Sequence, residues 1–573
     1  MKNQDVADIL ERMGTLLEIK GEIVFKTRAY YKAAETIAGL PEDIETVRKE
    51  NRLTEIPGIG KTLAEKISQY LDTGRMKAYE ELTKEIPEGL LEVVEIPSVG
   101  PKKAKLFFEQ LKVKNPQDLR KAIEAGKLAG LPGIQEKTIE NIRRGIKIVQ
   151  QGRERMHLGT ATQVAEEFVA ALKKLPEVNE IVAAGSLRRG RETVRDIDIL
   201  IDSTNPQRVM DVFVHLPQVK SVNAHGETKS SILTQNNDQV DIRVVEPRSF
   251  GAALLYFTGS KDFNIKLRQI AIKKEMKVSE YGIFFVKGGR ERMLAGKTEA
   301  DCFKALGLPY VPPEMREDFG AEEFFADKNV PALVEFKDIQ GDLHVHSTWS
   351  DGQNTIAEMA HAAAAKGYQY LALSDHSPRL RVAGGVTPED LKKKKKEIDD
   401  LNAGMKDFCV LFGTEVEIDS AGNLDYNNTI LSAFDFVIAA IHSGFEQSFG
   451  QLTKRLVKVC QNKYVHAIAH PTGVHLGKRE PYHFDFQEVC KAAVDNNVCL
   501  EINAFPIRLD LNGANVYHAR KYGVKFVVDT DAHRVEHMDF MKFGVTTARR
   551  GWLTKKDVLN TLSYSELMKR LRK

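Results

Sequence analysis

Gly185-Ser186-Leu187-Arg188-Arg189-Gly190, followed by Arg195-Asp196-Ile197-Asp198-Ile199-Leu200, is the stretch on which the architecture turns. Its second half alternates acid and aliphatic residues with the period of a strand. Asp196 and Asp198 therefore project to one face while Ile197 and Ile199 point into a core. Two like charges side by side repel, and such a pair persists where a cation bridges it. Further on, Val240-Asp241-Ile242-Arg243 repeats the alternation and offers a third carboxylate. Three carboxylates suffice to hold two divalent ions roughly 3.5–4 Å apart. Gly185 and Ser186 place backbone and hydroxyl donors beside them for a triphosphate, to which Arg189 adds charge. An Asp-x-Asp pair alone is more often an exposed strand face. With Gly-Ser before it and Asp-x-Arg after it, the pattern becomes specific.

Outward from this point the chain changes character in both directions. Residues 1 to about 150 read as short helices, with apolar residues at three and four spacing (Val6, Ile9, Leu10, Met13, Leu16, Leu17) and turns marked by Gly and Pro. From about 158 strand-like runs take over, at 179–184, 196–201 and 240–245, and a helical stretch follows near 261–276. The charged segment 314–338 lacks a period and reads as a linker region. Beyond it, short apolar runs at 370–374, 436–441, 466–469, 498–502 and 525–528 alternate with helical segments. That rhythm indicates parallel strands with crossover helices, as in a barrel.

Composition narrows the class. The 573 residues exceed one core, and 42% hydrophobic with 28% charged residues is ordinary for a soluble globular chain. Lys+Arg at 83 against Asp+Glu at 80 gives +3, so any basic surface is local. The 5 cysteines, with no Cys-x-x-Cys pair, fit a reducing cytosolic compartment. The first helix carries acidic residues, unlike a signal peptide, and no apolar run approaches the roughly 18 residues of a membrane span.

Three helical segments share one pattern: Ile56-Pro57-Gly58-Ile59-Gly60-Lys61, Ile96-Pro97-Ser98-Val99-Gly100-Pro101-Lys102, and Leu131-Pro132-Gly133-Ile134-Gln135-Glu136-Lys137. Glycines let the backbone come close, and N–H groups at the next helix N-terminus point at a phosphate. The third copy carries Gln135 where the second glycine is expected. At the other end, Asp342-Leu343-His344-Val345-His346 opens a series of acid and histidine residues placed just after apolar runs. His344 and His346 share a strand face, and Asp375-His376, Glu415, His442, His470 and Asp531-Ala532-His533 follow at later strand ends. A single histidine there is ordinarily structural, but a set at successive strand ends marks a metal site. Asp375, Glu417 and Asp529 stand nearby as either supporting groups or barrel lining.

These motifs resemble known families. The three hairpins each resemble a helix–hairpin–helix motif, and residues 1–82 resemble the small N-terminal domain of DNA polymerase beta. Lys66 falls where that family places a Schiff-base lysine removing 5′-deoxyribose phosphate, Lys26 and Tyr30 match supporting positions, and Thr62 departs from the usual basic residue. The carboxylate triad resembles the nucleotidyltransferase superfamily. Tyr256-Phe257-Thr258-Gly259-Ser260, then Asn264 and Arg268, resemble the family X segment that contacts nucleotide sugar, incoming base and template minor groove. Leu308-Pro309-Tyr310 resembles that family's C-terminus, while Arg195 replaces a familiar glycine. The back end resembles the polymerase-and-histidinol-phosphatase (PHP) domain. Nine positions match its ligands for three metals: His344, His346, Asp351, His376, Glu415, His442, His470, Asp531 and His533.

The resemblance implies a multidomain fold: an all-α helix–hairpin–helix N-terminal region, an α+β nucleotidyltransferase palm and thumb, and a C-terminal distorted α/β barrel. The implied divisions are 1–82 lyase-like, 83–150 fingers-type helix–hairpin–helix, 151–252 palm, 253–318 thumb-type, 319–337 linker and 338–573 PHP. It implies a bacterial family X DNA polymerase filling short gaps in base excision repair, with 3′-5′ exonuclease and AP endonuclease activity in the PHP domain. Asp196, Asp198 and Asp241 would be catalytic, with Lys66 as lyase nucleophile. Gly185, Ser186, Arg189, Arg243, Tyr256, Phe257, Gly259, Asn264 and Arg268 would bind nucleotide, and Gly58, Gly60, Val99, Gly100 and Lys26 would bind DNA. Implied cofactors are Mg²⁺ or Mn²⁺ at the triad, Mn²⁺ or Zn²⁺ at the PHP ligands, and a monovalent cation at the hairpins. Implied partners are gapped or primer–template DNA and dNTPs, for a cytoplasmic, nucleoid-associated monomer with no membrane attachment. Two other readings stand beside it: a nucleotidyltransferase fused to a small-molecule phosphatase, and a DNA-binding scaffold whose catalysis has lapsed.

Overall fold

The computed structural model describes residues 2–571 apart from 39, 41, 97, 98, 154 and 289, so Pro97 and Ser98 of the second hairpin lie outside the described residues. The chain divides into two compact units, Met1–Arg153 with Gly477–Glu480, and Glu154–Leu476 with Pro481–Lys573.

The first unit is helical. Val6, Leu10, Met13, Leu16 and Leu17 are buried along the inner face of the helix Asn3–Lys20, and pack with Tyr30, Ala33 and Ile37 of the helix Val24–Ala38. One apolar core continues from there to Ile146. At the first hairpin Gly58 takes φ +86°, and the helix Lys61–Thr73 starts at Gly60 with no side chain capping it. The helix Pro101–Leu111 starts in the same way at Gly100, with Val99 buried behind it.

The second unit holds two principal sheets. One has five strands in the order Val178–Ala183, Asp196–Ser203, Gln239–Val245, Lys229–Thr234, Val219–His225. Its central pair, Asp196–Ser203 with Gln239–Val245, is parallel, and its register sets Asp198 beside Asp241. Ile197, Ile199, Ile201, Val240, Ile242 and Val244 fill the opposite face with Phe168 and Phe213. The helix Phe250–Thr258 backs this sheet, and a small antiparallel sheet of three strands spans Met276–Ala295.

The other principal sheet is wholly parallel. Its seven strands run in chain order: Gly341–Val345, Tyr370–Leu373, Cys409–Glu417, Phe436–Ala440, Ala467–Ile468, Cys499–Asn503 and Phe526–Asp529. A bridge between Val345 and Ala532 returns the last strand's end to the first, so the sheet is a nearly closed barrel. Buried on both faces, these strands read as short continuous apolar runs. Among the described residues, no helix is long and apolar enough to cross a membrane.

The segment 319–337, expected as a linker, departs from that expectation. Asp318–Asp327 is a helix that buries Gly320, Ala321 and Phe324, and Phe324 packs with Phe263, Phe303 and Trp552. Asp318, Glu322 and Asp327 are exposed, Glu323 meets Tyr517 and Arg520, and Trp552 lies more than 200 positions away, so no local period announces the helix.

Gly251 lies inside the helix Phe250–Thr258, where an added Cβ would overlap the backbone of Thr298. Alanine gains about 1 kcal/mol of helix propensity, but overpacking against rigid backbone costs about 1–3 kcal/mol and here cannot relax by a rotamer change. Gly251→Ala is expected to lower the melting temperature by several degrees in calorimetry. An unchanged or raised transition would contradict this packing.

Candidate active sites

The palm site begins with one turn. Gly185 takes φ +62°, and a Cβ there would stand 2.6 Å from Asp198 Oδ2, so only glycine brings this backbone against the carboxylate. The Ala184 N–H donates to the Asp198 carbonyl at 2.7 Å, which locks the turn to the strand. Asp241 is held in place by the Ser231 hydroxyl at 2.6 Å and the Gln239 amide at 3.0 Å, with Lys229 Nζ 3.9 Å away. Asp198, Asp241, Lys229, Arg243 and Phe257 line one cavity with Ala184. Burial first, then the charges of Asp196 and Asp241, push Asp198 up to about 7. Carboxylates that raise one another in this way favour a bound divalent cation.

Around the carboxylates the sequence-predicted residues separate. Arg243 stacks over the Phe257 ring at 4.6 Å, and Phe257 meets Tyr256 edge-on at 5.1 Å. The Asn264 amide donates to the Tyr256 carbonyl at 2.7 Å, while Ser186 is half-buried and Arg268 is exposed. Gly259 follows the helix Phe250–Thr258, close to the Arg189 guanidinium. Arg189, read as a triphosphate ligand, is instead engaged within the protein: its Nε donates to Glu317 at 2.9 Å and its Nη1 to the Thr258 carbonyl. Arg188 pairs with Glu299 at 2.7 Å, and Arg316 binds the same carboxylate at 2.5 Å.

In the helical unit, the Lys66 ammonium donates to the Tyr30 hydroxyl at 2.5 Å, and Lys26 pairs with Glu22 at 3.1 Å. Gly58 and Gly60 precede one uncapped helix start and Val99 and Gly100 another.

The barrel gathers its acids and histidines at the carboxyl ends of its strands, the end where parallel barrels place their chemistry. Three groups have ligand atoms close enough for one ion each: His346, Asp351, His376 and His533; His344, His346 and Asp531; and His376, Glu415 and His442. His346 and His376 are shared between groups, and His470 Nε2 adjoins Glu415 at 3.0 Å. His344 Nε2, both His346 ring nitrogens, His470 Nδ1 and Glu415 Oε2 are buried without a hydrogen-bond partner. Orphaned ligand atoms in a polar pocket fit metal binding. Burial, then His533 and His376, bring His346 down to about 4, which leaves its ring neutral for a metal. For Asp531 burial opposes the charge, but His344, His346 and His533 hold it well below the usual carboxylate range.

Two residues here carried no sequence signal. Glu501, fully buried in the strand Cys499–Asn503, meets His344 Nδ1 at 2.6 Å and accepts from the His470 backbone N–H. Arg508 approaches Asp531 at 3.4 Å and has Nη1 buried without a partner. Glu417 orients His442 through Nδ1 at 2.7 Å. Asp375 pairs with Lys394 at 2.8 Å, and Asp529 accepts from the Leu343 N–H at 2.8 Å.

Four families known from other proteins match separate stretches of the chain. A helix-hairpin-helix domain family matches residues 1–76, a SAM-like helix-hairpin-helix tandem 90–147, the DNA polymerase beta thumb 253–317 and the PHP domain 342–504. The chain is 40% identical over 569 residues to the DNA polymerase/3'-5' exonuclease PolX of Bacillus subtilis (strain 168), covering 99% of each. It is 26% identical over 344 residues to DNA polymerase lambda of Rattus norvegicus, covering 55% of this chain and 56% of that one. A protein named "Probable phosphatase" from Thermoanaerobacter sp. (strain X514) is 30% identical over 233 residues, 38% of this chain and 89% of that one.

The raised Asp198 has a measurable consequence. With no ion bound, the folded chain keeps a proton there that the unfolded chain releases near its ordinary 3.8, so this stability is full below that value and is lost as pH rises through about 7. A divalent ion displaces the proton and relieves the repulsion. The rise in melting temperature on adding Mg²⁺ should therefore be larger at pH 8 than at pH 6, and Asp198→Asn should shrink that difference. Equal shifts at both pH values, or a difference indifferent to Asp198→Asn, would contradict the assignment.

Proposed function

Because this chain belongs to the PolX family of bacterial family X DNA polymerases, we propose that its two clusters divide the work of one repair enzyme, the palm adding nucleotides and the barrel removing them. The observation that carries this reading is the parallel register placing Asp198 beside Asp241, next to the Gly185 turn. DNA and dNTPs are the substrates, and both centres use divalent metals.

In the palm, Asp196, Asp198 and Asp241 would hold Mg²⁺ or Mn²⁺. When bound, such ions supply activation of a primer 3′-hydroxyl and neutralisation of the departing pyrophosphate. The chain's own part is positioning. Backbone N–H groups and the Ser186 hydroxyl grip the triphosphate, while Tyr256 and Phe257 supply an apolar wall beside the sugar. Asn264 and Arg268 lie on the following helix, Lys261–Ile272, and would serve the incoming base and the template groove.

In the barrel, the nine sequence-predicted ligands would hold Mn²⁺ or Zn²⁺, whose contribution when bound is a lowered water pKa and a polarised phosphoryl oxygen. Glu501 and Glu417 fix the rings of His344 and His442 from behind, which sets the tautomer each presents. Arg508 supplies the cationic contact for a scissile phosphate. The match to a phosphatase supports a second reading, hydrolysis of small phosphomonoesters, and the phosphate-gripping hairpins favour a DNA end instead. Incision at abasic sites belongs to the same proposal. In the helical unit, Lys66 on the Tyr30 hydroxyl supports a Schiff-base role in removing 5′-deoxyribose phosphate.

The two sites should fail independently. On an end-labelled gapped primer, Asp198→Ala should reduce extension at least a thousandfold and leave shortening intact, while His344→Ala with His346→Ala should do the reverse. Loss of both activities by either lesion in a folded protein would overturn the two-site assignment. A small phosphomonoester turned over faster than a 3′-recessed duplex would replace the exonuclease reading by the phosphatase one. Borohydride should trap the chain on 5′-deoxyribose phosphate DNA, and Lys66→Ala should lose that adduct. An undiminished adduct would exclude Lys66 as the nucleophile.

A further inference from the structure

The turn that grips phosphate and the strand that carries Asp196 and Asp198 are joined by residues 189–195, a segment with little regular structure of its own. Its strand Thr193–Val194 is two residues long and pairs only with Met156–His157. The middle of the segment is held in part from the barrel half. Arg550, at the end of the helix Met541–Arg550, donates to the Arg189 carbonyl at 3.2 Å, and its guanidinium stands 3.4 Å from Glu317 and 3.5 Å from Glu192. The Gly513 N–H donates to the same Glu192 carboxylate at 3.2 Å. A Cβ on Gly190 would overlap Thr546 Cγ2 of that helix, so backbone and helix are in direct contact.

Glu317 is the hub. It accepts from Arg189 at 2.9 Å, lies 3.4 Å from Arg191 and 3.4 Å from Arg550, and is 2% exposed, as is Arg550. Arg189 in turn reaches the Thr258 carbonyl, within the Tyr256–Ser260 segment. One barrel guanidinium is thus linked through one carboxylate to the phosphate turn and to the helix end that faces the sugar. Ion pairs this buried are rigid, and losing one partner leaves an uncompensated charge. A triphosphate must be gripped at a fixed distance from the metal carboxylates, so rigidity here bears on substrate binding.

We propose that Arg550 of the barrel half is a positioning residue for nucleotide addition in the palm, acting through Glu317 and Glu192 on the loop 189–192. This rests on the reading of the Gly185 turn as the triphosphate grip. It makes the barrel a structural part of the polymerase, separately from its own hydrolytic chemistry.

The test uses the full-length enzyme in single-nucleotide gap filling. Arg550→Ala should raise the dNTP KM about tenfold and change kcat less than threefold. The rate of 3′-end shortening should stay at the wild-type value. Amide exchange across 185–195 should quicken, and Arg550→Lys should recover part of the KM. A dNTP KM within twofold of wild type overturns the proposal. So does loss of synthesis and shortening together with a fallen melting temperature from Arg550→Ala and Glu317→Gln alike, since that marks simple unfolding. If only Arg550→Ala fails to fold, Glu317→Gln decides: a raised KM supports the clamp and a wild-type KM removes it. Asp198→Asn run alongside keeps the two readings apart. If it still extends the primer, the palm assignment itself falls; if it is inactive while Arg550→Ala keeps its KM, only the clamp falls.

Discussion

Parallel strand pairing is the constraint from which both sites follow. Parallel neighbours present like ends together, so side chains at matching ends converge however far apart they lie in sequence, at the amino ends in the palm and the carboxyl ends in the barrel. In the palm, one parallel pair sets Asp198 against Asp241 across 43 positions. In the barrel, seven such strands bring His344 within 3.7 Å of Asp531. Convergence of like groups is costly in water-poor surroundings, and each site carries the signs of it. Asp198 sits near 7, and the barrel leaves several ligand atoms without partners. A multivalent cation is the simplest charge to answer both.

How far the sequence discloses this depends on whether a residue's role is written in its neighbours. The carboxylate pair and the histidine pair show because alternation along a strand is a local pattern, and because polar residues ending apolar runs stand out. Glu501 does not show, since one acid inside Val498-Cys499-Leu500-Glu501-Ile502 has the appearance of an interrupted core strand. Only the fold reveals that its carboxylate meets His344. Arg508 is hidden for the same reason, in a loop with no motif. Arg189 is visible as a basic residue after a Gly-Ser turn, but its contact through Nε with Glu317, 128 positions on, is not. The helix Asp318–Asp327 is legible only with Trp552 in view, because its buried face is too short to set a period.

Behind the barrel ligands lies a further layer of buried acid. Burial pushes Asp342 up to about 6, against the hydrogen bonds from Thr530. Asp529 is raised well above its ordinary value by burial first and then by the charge of Asp342. This layer meets the ligand strand through its backbone, where Asp342 accepts from the His344 N–H at 3.3 Å. Its role is geometric: Asp529 binds the Leu343 N–H and the Asn560 amide, and thereby fixes the strand that presents His344 and His346.

The two centres differ most in how they are enclosed. Palm carboxylates are half-buried and braced by a hydroxyl, an amide and a distant lysine, in a cavity that opens beside Phe257. Six of the nine barrel ligands are buried and braced by other charges, while Asp351, His442 and His533 are more accessible. An open site exchanges its ions with substrate and gains order from elsewhere, while an enclosed site retains ions and supplies its own order. The palm is therefore the part that needs external support. One such support is the barrel helix ending at Arg550, whose guanidinium reaches the Arg189 carbonyl and faces Glu317 and Glu192. Fusion of the two halves thus has a mechanical basis in one buried cluster, beyond the convenience of carrying two activities on one chain.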